Sequence, residues 1–89
     1  MKKLVNVTEV EGEGLMSLLG ERVLLFCSRF HYNGKLTGVN DTCVQLSDAK
    51  IVLDTGDFKA KTWAAAETLM SDIIYVQVAA IESFVKSNK

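Results

Sequence analysis

At 89 residues with no proline, the chain fits a single domain spanning 1–89, and a domain of that size buries only about 60–65 % of the surface its unfolded form exposes. Hydrophobic residues make up 48 % of it, in runs such as 23–27 and 73–80, which is more apolar surface than a thin core covers and implies that other copies of the chain cover the rest. Ten basic against eleven acidic residues exclude the broad basic footprint of a protein that grips duplex nucleic acid; single strands remain open, because a ring can gather a few Lys and Arg at one place.

The two cysteines, Cys27 and Cys43, lie in strand-like patterns with no second Cys or His at metal spacing, and read as free thiols of a reducing compartment. After Met1-Lys2-Lys3 only Leu4-Val5 precede Asn6, too short for a signal core. No stretch approaches the ~18 apolar residues of a membrane span. A cytoplasmic location without a membrane partner is the expectation, in a cell or in an infected one.

In chain order, KLVNVTEV at 3–10 alternates Val5 and Val7 with Asn6 and Thr8, so 1–12 form an N-terminal arm or a short strand. EGEG at 11–14 suits a hinge and a helix start. From Glu13 to Leu19 the apolar Leu15, Met16, Leu18 and Leu19 fit a short helix with Gly20 as its stop. So short a helix must be held by packing. Residues 21–28 follow as a nearly continuous apolar strand, and because both faces of 23–27 need cover it belongs in the middle of a sheet.

Residues 28–47, SRFHYNGKLTGVNDTCVQLS, organise the rest. Phe30, Tyr32, Gly34, Leu36 and Gly38 alternate with the polar His31, Asn33, Lys35 and Thr37, a half-buried strand; after an Asn40-Asp41-Thr42 corner, Val44 and Leu46 alternate with Cys43, Gln45 and Ser47, its antiparallel partner. Gly34 and Gly38 are costly in a flat strand and useful in one that bends sharply, as in a small barrel. Ile51, Val52 and Leu53 continue the third strand past a bulge near Asp48, and 54–57 read as a turn. Residues 54–71 are the least determined: WAAAETLM at 63–70 has the propensity of a helical turn or two, and an elaborated loop between strands three and four is the alternative. Residues 73–78 and 81–85 are two apolar strands joined by a bend at Ala79-Ala80, and KSNK is a solvated tail.

This order resembles the Sm fold. In Sm-like (LSm and Hfq-type) proteins the first motif runs aromatic, any, Gly, any, Leu, any, Gly, hydrophobic, Asp and later ends in a Leu followed by acids; here stand Tyr32-Asn33-Gly34-Lys35-Leu36-Thr37-Gly38-Val39-Asn40 and Leu46-Ser47-Asp48-Ala49, preceded by a family-like LMSLLGERVLLFC. The likeness covers residues 15–49. It implies a mainly β fold, a short N-terminal helix plus a strongly bent five-stranded antiparallel barrel. It also implies a homo-oligomeric ring of five to seven copies, closed by pairing of the fourth and fifth strands between neighbours. Residues 73–85, an exposed edge and an aggregation hazard in a monomer, are then covered.

Sm rings usually thread a U-rich or A/U-rich RNA, with an Asp, a stacking residue and an Asn from the loop after the second strand and an Arg-Gly from the second motif. Carried over, the Asp position falls on Asn40 or, shifted by one, Asp41; the stacking position on Thr42; the Asn position on Cys43 or Val44. Gln77-Val78-Ala79 stands where Arg-Gly, or the Lys-His of Hfq-type proteins, is expected. Thr42 cannot stack on a base, and neither a thiol nor Val reads a uracil edge as an amide does. Stacking is worth about 1–3 kcal/mol per base, so its loss weakens RNA binding at every subunit. Gln77 keeps an amide, and Asn40 and Asp41 can still line a pore. The candidate RNA-binding residues are therefore Asn40, Asp41, Thr42, Cys43, Gln77 and Ala79.

His31, with Arg29, Phe30 and Tyr32, reads either as part of a stacking surface or as a surface residue at a strand end. Trp63 reads as a base platform on the outer face or as the anchor of its own loop. Asp54, Thr55 and Asp57 lack the ligand order and closing Glu of a calcium loop. One His, no Ser or Cys beside a base and no phosphate loop give no enzyme, no cofactor and no small-molecule substrate. Two functions remain: an Sm-like ring binding single-stranded RNA weakly or with altered specificity, and a structural or protein-interaction ring scaffold, bacterial or phage, without a nucleic acid ligand.

Overall fold

The computed structural model describes residues 14–89, so the arm at 1–12 lies outside the described residues. The chain opens on a 3-10 turn, Leu15–Leu18, followed by β1 (Arg22–Cys27), β2 (His31–Val39), β3 (Cys43–Asp54), β4 (Ala65–Thr68), β5 (Ile73–Gln77), a second 3-10 turn at Val78–Ala80, and β6 (Ile81–Lys86). The strands form one antiparallel sheet in the order β4-β3-β2-β1-β6, with β5 also paired to β3.

The expected helix is a single 3-10 turn. Gly14 at φ 79° and Gly20 at φ 87° bracket it and leave room for no more. Three residues per turn align Leu15 with Leu18, and those two pack on the core while Met16 and Leu19 stay exposed.

Six strands stand where five were expected. β3 is one long strand that carries its bulge at Asp48, the described non-glycine residue with positive φ (48°). Its first half pairs with β5 up to Ser47↔Ile73, its second with β4 from Lys50↔Thr68, and residues 69–72 leave the ladder between them. One long fourth strand is thereby divided. Residues 65–68 pair as β4, which overturns the helical reading of 63–70; the pairing of Val52 with Ala66 and Lys50 with Thr68 outweighs the modest helix preference of three alanines.

Val23, Leu25 and Cys27 of β1, Leu36 of β2, Val44, Leu46 and Ala49 of β3 and Val76 of β5 make the concave core, with Tyr32, Ile74 and Ile81 packed on it. The reverse face of the sheet is covered as well. Leu24 and Val52 are buried there, and so is Asn33, 0 % exposed, although the alternation of β2 puts it on the polar side.

Asn33 is held by a network that the sequence does not announce. Its Nδ2 donates to Val23 O (3.2 Å) and Ser87 Oγ (2.9 Å), and its Oδ1 accepts from Arg22 Nη2 (2.9 Å). Arg22 also donates from Nε to Lys89 O (3.0 Å) and from Nη1 to Asp48 Oδ2 (3.0 Å). The tail is therefore not simply solvated: Ser87 and Lys89 are half-buried and tie its backbone to β1 and to the bulge of β3. Every polar atom of the Asn33 amide has a partner, which is what makes its burial tolerable.

Candidate nucleic-acid interface

The corner between β2 and β3 and the joint between β5 and β6 lie side by side. Cys43 pairs with Gln77, and Val78 N donates to Thr42 O at 2.9 Å. Asp41, Thr42, Cys43, Gln77 and Ala79 consequently border one open cleft of about 760 Å³. Asn40 does not line it. Its Oδ1 accepts from Thr42 N (2.8 Å), Thr42 Oγ1 (3.1 Å) and Cys43 N (2.9 Å), so this side chain shapes the corner.

Tyr75 and Val78 complete the lining. In β5, Ile74 and Val76 point to the core and Ile73, Tyr75 and Gln77 point outward, with Tyr75 66 % exposed. The period of two in IIYVQ carried this signal, but the run read as uniformly apolar. Tyr75 Oη accepts from Gln45 Nε2 (2.9 Å), and Gln45 Oε1 accepts from Thr37 Oγ1 (2.9 Å), a polar ladder across β2, β3 and β5 that holds the phenol ring in place. The ring also borders a smaller hollow of about 240 Å³ beside Gly38 and Val39. Chemically the cleft offers an aromatic face, a free amide at Gln77, a hydroxyl at Thr42 and one carboxylate at Asp41. No cation among the described residues lines it.

His31 is half-buried with its ring edge-on to Phe26 (centroids 4.9 Å apart), and its Nδ1 has no partner among the described residues. Trp63 is half-buried against the reverse face. Both lie away from the cleft. Cys27 is buried in the core, and that burial, reinforced by the charge of Glu82, pushes its thiol above the ordinary range. No helix among the described residues is long and apolar enough to cross a membrane.

No protein-family model matches the sequence, and no curated protein matches it. Among solved structures, a Pyrococcus abyssii Sm protein in complex with a uridine heptamer superposes with a TM-score of 0.60, over 81 % of this chain and 90 % of that one, at 18 % identity. The chain has an Sm-like fold. At that identity the likeness is one of fold alone. The Sm-like fold nonetheless accounts for the skeleton of β2: β3 bulges across Gly34, so that a Cβ there would meet Ser47 O at 3.0 Å, and the bend follows from that close approach.

Proposed function

We propose that the protein is a ring-forming Sm-like protein that binds single-stranded RNA at the cleft between the β2–β3 corner and the β5–β6 joint. The observation that carries this reading is the outward pair Tyr75 and Gln77 on β5, facing Thr42 and Cys43 across an open cleft. Tyr75 supplies the aromatic surface that Thr42 cannot, and Gln77 supplies an amide able to read a base edge. The uridine heptamer bound to the structurally similar Sm protein supports RNA as the ligand class.

Ring closure in this reading uses the outer edges of β5 and β6, which have no strand partner among the described residues and carry exposed Ile73, Phe84 and Val85. The test is fluorescence anisotropy of a labelled heptauridine at low salt. Wild type binds, and Tyr75→Ala weakens binding by about 1–3 kcal/mol per stacked base. Absence of any shift refutes RNA binding at the cleft.

A second reading, the same ring as a structural or protein-interaction scaffold, is favoured by one observation: among the described residues the cleft is lined by Asp41 and by no cation. It is the reading that remains if the oligonucleotide fails to bind while the native mass is a multiple of the protomer.

A further inference from the structure

Among the described residues, lysines gather away from the cleft. On the reverse face of the sheet Trp63 borders two hollows, one of about 320 Å³ shared with Phe58, Lys86 and Lys89, the other of about 190 Å³ shared with Lys50, Lys61 and Lys89. No acidic side chain among the described residues lines either. Lys50, Lys61, Lys86 and Lys89 are half of the eight Lys and Arg among the described residues. Lys86 lies 3.7 Å from Glu21, and Lys50, Lys61 and Lys89 form no ion pair among the described residues.

The aromatic half of the site is equally defined. Phe58, 56 % exposed, stands edge-on to Trp63 at 88° with ring centroids 6.3 Å apart, and Lys89 Nζ lies 4.0 Å from the Trp63 ring centroid. The buried Trp63 Nε1 has no acceptor among the described residues, so no hydrogen bond there ties down the indole. A chain of overall charge −1 has no general reason to concentrate positive charge around its one tryptophan. An exposed phenyl ring beside a half-buried indole, with four lysines lining the same hollows, offers the recognition elements of a nucleotide: a planar base that stacks and a phosphate that pairs.

We propose that Trp63, Phe58 and the surrounding lysines form a second binding site, on the reverse face, for a single-stranded nucleic acid. A base stacks on the exposed part of the Phe58–Trp63 pair, and flanking phosphates take Lys50, Lys61 and Lys86. Lys89 exchanges its place over the indole for a phosphate. The site is separate from the cleft: Lys50 lies seven residues along β3 from Cys43, up to about 23 Å at ~3.3 Å per residue. It does not depend on the cleft reading.

The chain has one tryptophan, so its emission reports this site directly. Purified full-length protein is titrated with heptameric oligouridine and heptameric oligoadenine, following Trp63 emission and, in parallel, anisotropy of the labelled oligomers. Expected is saturable quenching by at least one oligomer that survives Tyr75→Ala. Replacing the exposed Lys50 and Lys61 by Gln weakens the quench about tenfold and flattens the slope of log K against log salt by about 0.7 per lost phosphate contact. Three outcomes overturn the proposal: anisotropy that saturates, or stays flat, without a change in emission; a quench unaltered in the double lysine variant; a quench abolished by Tyr75→Ala. Saturable emission change with polyglutamate but neither oligomer also overturns it, assigning the face to an acidic protein. The cleft reading fails separately, when Tyr75→Ala leaves anisotropy unchanged.

Discussion

Gly34 and Gly38 look equivalent in the sequence, and replacing each by alanine separates the one on which the fold depends. A Cβ on Gly34 would lie 3.0 Å from Ser47 O, 3.2 Å from Ala49 Cα and 3.2 Å from Leu46 Cβ, all rigid parts of β3 where it bulges. On Gly38 the nearest atoms are Gln45 Cβ at 3.5 Å and Oε1 at 3.9 Å, ordinary contacts, one of them to a side chain that can turn. Neither glycine has positive φ, so backbone strain plays no part. Overpacking a rigid contact costs about 1–3 kcal/mol, and the stiffer unfolded chain of an alanine variant offsets about 0.4–1 kcal/mol. Gly34→Ala should therefore lose about 1–2 kcal/mol, while Gly38→Ala stays level or gains up to about 1 kcal/mol. With a urea slope near 1 kcal/mol per molar, the midpoints separate by about 1–3 M. Urea titration by far-UV circular dichroism measures this, at one fixed protomer concentration because self-association shifts apparent stability. A Gly34→Ala midpoint at or above that of Gly38→Ala would refute the close approach of β2 and β3.

Asn33→Ala strips partners from Val23 O, Ser87 Oγ and Arg22 Nη2 together, and should cost about 2–4 kcal/mol in the same titration; a loss below about 1 kcal/mol would mean that the network is replaceable by water. The Cys27 thiol is raised by burial first and by Glu82 second, so the folded chain keeps its proton where the unfolded chain has lost it. Its contribution to stability is complete below the ordinary thiol value of 9.0 and declines as pH climbs above that value. Alkylation of Cys27 near pH 9 should accordingly lag behind that of the half-buried Cys43, and equal rates by peptide mass analysis would contradict the burial. For the proposed ring, Ile73→Lys or Phe84→Lys places charge on the outer edge of β5 or β6, and native mass spectrometry should show a multiple of the protomer mass for wild type and the protomer mass for the variants; a wild-type protomer, or a variant of unchanged multiple mass, would refute closure through these edges.

Much of the β1–β2–β3 unit was legible from residues alone, because alternation, two glycines and an Asn-Asp-Thr corner are local instructions that the backbone carries out with little help. The bulge at Asp48 and the joint at Ala79-Ala80 were legible for the same reason. The β4 segment was not: four residues whose own preference is helical become a strand only because Lys50 and Val52 present a ladder to them. Asn33 was misplaced because its alternation pattern cannot say that the segment after β3 and the tail return to cover the reverse face. The corner and the β5–β6 joint were singled out by position in a motif, and the fold sets them side by side at one cleft; that Tyr75 borders the same cleft was not legible, because its exposure depends on which side of β5 meets the core.

By itself the sequence determined the periodicities, the bends and the overall charge, quantities that depend on neighbours a few residues away. The tertiary structure alone decided which polar groups are buried, which aromatic ring faces solvent and where the lysines collect. Those properties arise from contacts between segments 10 to 67 residues apart, such as Asn33 with Val23 and Arg22 with Lys89. Only the folded sheet sets Asp41 and Tyr75 at one end of β3 and Lys50 beside Trp63 on its reverse face.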